Sequence, residues 1–194
     1  QTDLDEDARS ASITDCDEHL DLAYRFSLRQ EPCLWITHGP SGSGKTTLSD
    51  LVVQRRGAIR LRSDIERKRQ FGLAIHEHPS EKTKEELYSA SASETTYARL
   101  KTLSRNILRA GYSVIIDAAF LKRNDRLLFQ TLAHREGVRY AILDCHADAP
   151  TLRQRIADRA RRGEDTSDAD VQVLERQLAS QEPLEEAEHS YVVD

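Results

Sequence analysis

WITHGPSGSGKTTLSD, residues 35–50, is the stretch from which the rest of this chain is read. An apolar run ends at Gly39, small and rigid residues follow, and Lys45-Thr46 opens a segment of helical character. Gly39, Gly44, Lys45 and Thr46 meet the spacing G-x-x-x-x-G-K-[ST]. Glycines let backbone amides converge on phosphate oxygens with no Cβ in the way. The new helix turns its positive N-terminus toward the same anion. Lys45 can reach the β- and γ-phosphates, and the Thr46 hydroxyl can ligate Mg²⁺. The candidate contacts to a nucleoside triphosphate are therefore Gly39, Pro40, Ser41, Gly42, Ser43, Gly44, Lys45, Thr46 and Thr47. Of these, Thr47 reads as an ordinary helix residue rather than a second metal ligand.

Outward from this loop, strands and helices alternate. CLWITHG (33–39) reads as a buried strand, and the helix from Gly44 to about Gln54 stops at Gly57. AIRLRSD (58–64) alternates like a second strand, and a short helix follows Asp64 and breaks near Gly72. HEHPSEKT (76–83) reads as a polar loop. Ser91 and Glu94 form an S-x-x-E capping pattern ahead of a helix that runs to Gly111. YSVIIDAAF (112–120) reads as a strand, 124–136 as a helix and VRYAILDCHA (138–147) as a strand. Pro150 suits the first turn of the next helix, which Gly163 ends. Ser167 and Asp170 cap another helix, and SYVVD closes the chain as a short strand. This alternation predicts a parallel sheet with helices on both faces, with ligands at the carboxyl ends of its strands.

The 194 residues suffice for one sizeable domain. A hydrophobic fraction of 38% and a charged fraction of 31% suit a globular chain. The net charge of -5 argues against broad nucleic-acid binding. No apolar run approaches the roughly 20 residues of a membrane span. Cys16, Cys33 and Cys145 have no zinc-ligand spacing; Cys33 and Cys145 read as buried thiols, and a reducing cytoplasm is the expected setting. QTDLDEDARS has no signal-peptide pattern and the sequence has no Met, so a fragment or trimmed chain is expected. Residues 1–30 read as a linker or the tail of an upstream segment, and 31–194 as the nucleotide-binding domain.

The guanine-reading N-K-x-D and the transporter-type L-S-G-G-Q patterns are absent. With the compact size, this favours a kinase acting on a small molecule or nucleotide. Asp64 closes the second strand, where a carboxylate can accept the proton of an attacking hydroxyl; a helix N-cap is its alternative reading. Arg67, one turn on, can face the same cleft and bind an anionic group. Asp117 ends the apolar run VIID (114–117) and can hold Mg²⁺ or contact substrate. TLRQRIADRARRG (151–163) carries five arginines, of which Arg155, Arg159 and Arg162 fall near one helix face. Such a cluster suits a triphosphate, and a closing arginine can stabilise the transferring phosphoryl group. A solvated basic face is the alternative.

These motifs resemble the P-loop kinase family that includes gluconate kinase, adenylylsulfate kinase, zeta-toxin-like kinases and phage polynucleotide kinase. Within it, the chain looks most like predicted ATP-binding kinase domains fused behind an aminoglycoside-phosphotransferase-like domain. The resemblance spans about residues 33–194 and rests on GPSGSGKT (39–46), LRSDIERKRQFG (61–72), GYSVIIDAAF (111–120), LRQRIADRARRGEDTSDAD (152–170) and LERQLASQEPL (174–184). It implies a P-loop NTPase fold: three α/β/α layers, a mostly five-stranded parallel sheet and a helical lid at about 161–168. It implies Asp64 as general base with Arg67 beside it, Arg155 against adenine and Arg159 on phosphate. Arg126 matches a common arginine, read as a substrate contact, and Gln177 and Glu182 match recurring positions near the C-terminus, read as structural or substrate-side. The activity implied is transfer of the ATP γ-phosphate, with Mg²⁺, to a hydroxyl of a small-molecule acceptor. A fused or associated phosphotransferase-like domain is the implied partner. A 5′-hydroxyl polynucleotide kinase and a slow ATP-binding regulatory module are the competing readings.

Overall fold

A computed structural model of the chain describes residues 6–27, 31–77, 79–162 and 169–193. The chain divides into two units, residues 1–31 and 32–194. The first holds one helix, α1 (Glu6–Ser27), on which Ile13, Leu20, Leu22 and Tyr24 are exposed. Among the described residues no helix is long and apolar enough to cross a membrane.

In the second unit β1 (Cys33–His38) leads through the glycine loop into α2 (Lys45–Arg56). There follow β2 (Ile59–Arg62), α3 (Ser63–Gln70), α4 (Glu81–Leu87), α5 (Ala90–Arg109), β3 (Val114–Asp117), α6 (Arg123–Glu136) and β4 (Arg139–Asp144). The chain finishes with α7 (Ala149–Arg162), α8 (Val171–Ser180), a 3₁₀ turn (Glu186–Tyr191) and β5 (Val192–Val193). The five strands form one sheet in the order β2-β3-β1-β4-β5, and each pairing is parallel.

Successive strand side chains point to opposite faces, so β3 feeds two cores. Val114 and Ile116 pack with Leu34, Ile36 and Ile142 against Leu100 and Leu108 of α5 and Phe129 and Leu132 of α6. Ile115 faces the other way, with Leu143 and Val52 of α2. Burying each such side chain contributes about 1.5–3 kcal/mol, and this two-sided burial holds β1 and β3 at the centre of the sheet. A third cluster, Leu152, Ile156 and Leu174, joins α7 to α8.

The three-layer α/β/α fold with a five-stranded parallel sheet matches the expectation. Local boundaries differ in ways that have physical causes. The polar stretch 76–83 gives way to α4, because Ser80 accepts a hydrogen bond from Thr83 N and caps it. The cap of α5 is Ser89, which accepts from Ala92 N, so Ser91 already lies inside the helix. Asp170 is itself the cap of α8, accepting from Val173 N. Helix α3 begins at Ser63, so Asp64 sits in its first turn rather than at its N-cap. The expected stop at Gly163, the Ser167 cap and most of the expected lid lie outside the described residues.

Candidate active site

The strand order brings the site together. β3 lies between β1 and β2, so Asp117 at its end stands between the loop after β1 and the start of α3 after β2. Asp117 pairs in register with Arg62. A cleft of about 270 Å³ opens there, at the carboxyl ends of the strands. Its lining includes Ser41, Gly42, Gly44, Lys45 and Thr46 from the loop and α2, Arg62, Asp64 and Arg67 from the β2–α3 junction, Asp117, and Arg155, Arg159 and Gln177 from α7 and α8.

The loop is built for close backbone approach. Gly39 (φ 137°), Gly42 (φ 84°) and Gly44 (φ 97°) occupy conformations that side chains disfavour. A Cβ on Gly39 would meet the Cys145 carbonyl oxygen at 2.3 Å, and one on Gly42 the Leu152 carbonyl oxygen at 3.1 Å. Thus β4's end and α7 both pack directly on the loop. Lys45 Nζ donates to Pro40 O at 2.6 Å. Burial pulls the Lys45 ammonium down to about 8, with the Asp117 charge opposing. A triphosphate would restore the charge balance that burial disfavours.

Thr46 Oγ1 donates to Asp117 Oδ2 at 2.9 Å, and Ser49 Oγ, one turn on, lies 3.3 Å from the same oxygen. Burial raises the Asp117 carboxyl above its ordinary range, against the Thr46 hydrogen bond and the Lys45 charge. A buried carboxylate beside a hydroxyl is a hard-oxygen pair of the kind Mg²⁺ takes when phosphates complete its shell. Thr46 and Asp117 therefore fit a Mg²⁺ ion.

Asp64 is held by its neighbours. Arg62 Nη2 donates to Oδ2 at 2.6 Å and Nε to Oδ1 at 3.2 Å. Ile65 N donates to Oδ1 at 2.8 Å. Arg67 lies with its guanidinium 4.8 Å over the Tyr88 ring, a cation–π arrangement. Its Nε is out of solvent with no hydrogen-bond partner among the described residues. Helix α3 is anchored from behind by the buried Glu66, which Arg99 reaches from α5 at 2.5 Å and Arg69 also pairs.

From α7, Arg155 Nη1 donates to Gly42 O at 3.0 Å and Arg159 Nη2 to Ala169 O at 2.6 Å. Arg155 and Arg159 thus reach the cleft together; the side chain of Arg162 lies outside the described residues. Gly39, Pro40 and Ser43 support the loop without lining the cleft: Gly39 N donates to Ala119 O, and Pro40 O accepts from Lys45 Nζ and Ser43 N.

The Thr47 side chain is exposed on α2, turned away from the cleft one residue past Thr46. The reading of Arg126 as a substrate contact needs correction. Arg126 is fully buried and is consumed by the fold. It donates to Glu188 at 2.7 and 2.9 Å and to the carbonyls of Phe120, Glu182 and Pro183. It ties α6 to the C-terminal segment and offers nothing to a substrate. Glu182 likewise accepts from Lys122 Nζ and Arg123 N.

Sequence reasoning missed Arg62, Ser49, Tyr88 and Tyr97 as cleft or near-cleft residues. Only Ser49 carried a signal, its i+3 spacing from Thr46. Tyr97 fits its helical core pattern and also lines the cleft, while its hydroxyl accepts from Phe120 N at 3.1 Å.

No curated protein matches the chain. Among solved structures it resembles a protein of Chloroflexus aurantiacus j-10-fl provisionally described as a kinase, with 26% identity, TM-score 0.59, and coverage of 76% of this chain and 75% of that one. It also resembles a sugar kinase from Janibacter sp. HTCC2649 (20%, TM-score 0.58, 84% and 84%). A gluconokinase from Sinorhizobium meliloti 1021 (18%, TM-score 0.56, 85% and 82%) is similar as well. The last two likenesses show a shared fold. An AAA domain family profile matches residues 34–184, which takes in the loop, Asp64, Asp117 and the α7–α8 pair. The chain is a kinase-like P-loop domain and belongs to this AAA domain family.

Proposed function

We propose that the chain is an ATP- and Mg²⁺-dependent phosphotransferase that moves the γ-phosphate to a hydroxyl of a small-molecule acceptor. The observation that carries this reading is the meeting of the loop, Thr46–Asp117 and Asp64 in one cleft. Lys45 and the loop amides bind the phosphates. Thr46 and Asp117 would hold Mg²⁺, which supplies charge neutralisation at the β- and γ-phosphates. The acceptor oxygen attacks the γ-phosphorus, the bond to the β,γ-bridging oxygen breaks, and the hydroxyl proton passes to Asp64. Arg155 and Arg159 neutralise charge on the phosphates as it redistributes.

Arg67 lies with its guanidinium over Tyr88, and its buried Nε has no hydrogen-bond partner among the described residues, which supports an acceptor that carries an anionic group. A cytoplasmic setting belongs to the same reading, supported by three free cysteines. A fused or associated phosphotransferase-like domain belongs to it on the sequence resemblance alone.

The Arg62 grip on both oxygens of Asp64 favours a second reading, an ATP-binding regulatory module with slow turnover. A carboxylate already paired through both oxygens is less free to turn toward an incoming hydroxyl. The test is transfer from γ-labelled ATP to sugars, nucleosides, aminoglycosides and oligonucleotides, run beside Asp64→Asn. A labelled acceptor that Asp64→Asn no longer labels supports the phosphotransferase. ATP hydrolysis with no labelled acceptor, at equal rates in both proteins, supports the regulatory module.

A further inference from the structure

One loop amide is already occupied by a side chain from another element. Ser41 N donates to Gln177 Oε1 at 2.8 Å, across 136 residues of sequence. Ser41 is the third residue of the loop, and Gln177 sits on α8 one turn beyond Leu174. Leu174 is fully buried against Leu152 and Ile156 of α7. The face of α8 that carries Gln177 is thus pinned where its carboxamide can reach the loop.

The hydrogen bond also orients the carboxamide. A backbone N–H can only donate, so the atom facing Ser41 N is the oxygen. The carboxamide is planar, so its NH₂ group is turned away from Ser41 N. Gln177 lines the same cleft as Ser41, Asp64 and Arg159. Among the described residues its Nε2 makes no hydrogen bond, while its Oε1 is fixed. The result is a neutral two-proton donor, aligned before any ligand arrives.

The ligand for this donor follows from the order of the loop. The amides of Gly44, Lys45 and Thr46, at the start of α2, take the inner phosphates. Ser41 lies on the opposite limb of the loop, and Asp64 marks the acceptor side of the cleft. The terminal phosphate must lie between the loop and Asp64 if a hydroxyl held at Asp64 is to attack it. We propose that the Gln177 carboxamide, tethered by Ser41 N, donates through Nε2 to the terminal phosphoryl group and so distinguishes a nucleoside triphosphate from a diphosphate. This rests on the nucleotide reading above and adds α8 to the residues that touch the transferred group.

The test needs no acceptor. Binding of Mg²⁺ with ADP, and with a non-hydrolysable ATP analogue, is measured by calorimetry for the wild-type chain, Gln177→Glu and Gln177→Leu. Gln177→Glu keeps an oxygen for Ser41 N but replaces the donor with a second oxygen. Gln177→Leu removes both functions and adds no charge. The expected result is that both variants lose triphosphate affinity about tenfold or more, while diphosphate affinity changes less than about twofold. Equal losses for the two nucleotides in both variants, or a selective loss in Gln177→Glu alone, overturn the proposal and leave Gln177 as a clamp on the loop. Failure of the wild-type chain to bind either nucleotide sinks the nucleotide reading itself, and this proposal with it.

Discussion

Arg62 grips Asp64 two residues away through two parallel contacts, Nη2 to Oδ2 at 2.6 Å and Nε to Oδ1 at 3.2 Å. One side chain ends β2 and the other lies in the first turn of α3, so the pair fixes the carboxylate at the strand-to-helix bend. The planar guanidinium sets the plane of the carboxylate, which a lysine could not do. If Asp64 takes the acceptor proton, Arg62 orients it. Arg62→Ala should lower the rate of phosphate transfer roughly 10- to 100-fold, and Asp64→Asn about 10²- to 10⁴-fold. The triphosphate dissociation constant should stay within about threefold in both. A wild-type transfer rate in Asp64→Asn would remove Asp64 from the chemistry.

The loop glycines separate two costs that are usually confounded. Gly39 and Gly44 both have positive φ, at 137° and 97°. A Cβ on Gly44 meets nothing within 4 Å, whereas one on Gly39 meets the Cys145 carbonyl at 2.3 Å. Gly44→Ala should therefore cost only backbone strain, about 1–3 kcal/mol. Gly39→Ala adds a steric clash between β1 and β4, and its unfolding free energy should fall by a further 1–3 kcal/mol or so. Urea denaturation of the two variants measures the difference. Equal losses would mean that β4 moves aside at little cost.

Much of this site was legible because its signals are local. The apolar run before Gly39, the glycine spacing and Lys45-Thr46 lie within a dozen residues, and Asp117 ends an uninterrupted apolar run. The contacts that were not legible are made over long separations. Nothing near Gln177 announces that it caps Ser41, and nothing in LKRNDR (121–126) announces that Arg126 is enclosed by Glu188, which follows 62 residues later. Tyr88 was hidden differently. It follows α4, a helix whose polar sequence lacks an apolar stripe and which depends on the Ser80 cap. At α5 the residues Ser89, Ser91 and Ser93 offer three possible caps, and the backbone path, not their chemistry, selects Ser89.

Because Arg126 is enclosed, its substitution should be felt in folding. Arg126→Met leaves Glu188 and the carbonyls of Phe120, Glu182 and Pro183 without their donor. Removing one partner of a buried ion pair typically costs about 3–5 kcal/mol. The unfolding free energy should drop by about that amount, with the nucleotide dissociation constant at low temperature unchanged within about twofold. A stable Arg126→Met protein that has lost acceptor saturation would restore the substrate reading of this residue.

Behind the loop, Asp144 bridges two histidines, His38 Nδ1 at 2.6 Å and His146 Nε2 at 2.5 Å. His38 is the last residue of β1 before Gly39, so this bridge braces the root of the loop. Burial would raise the Asp144 carboxyl, but the hydrogen bonds from His38 and His146 outweigh it and hold the group below its ordinary range. A carboxyl lowered by folding adds stability above its unfolded value, near 3.9, and that stability is lost as pH falls through the folded value. Asp144→Asn should be less stable than wild type by about 1–3 kcal/mol at pH 6. The gap should narrow as the pH drops below about 4, where wild-type Asp144 becomes protonated and the two proteins carry the same charge at this site. Urea midpoints recorded from pH 6 down to pH 3 read the gap directly. A gap that stays constant over that range would mean that the geometry of the bridge, and not the Asp144 charge, stabilises the end of β1.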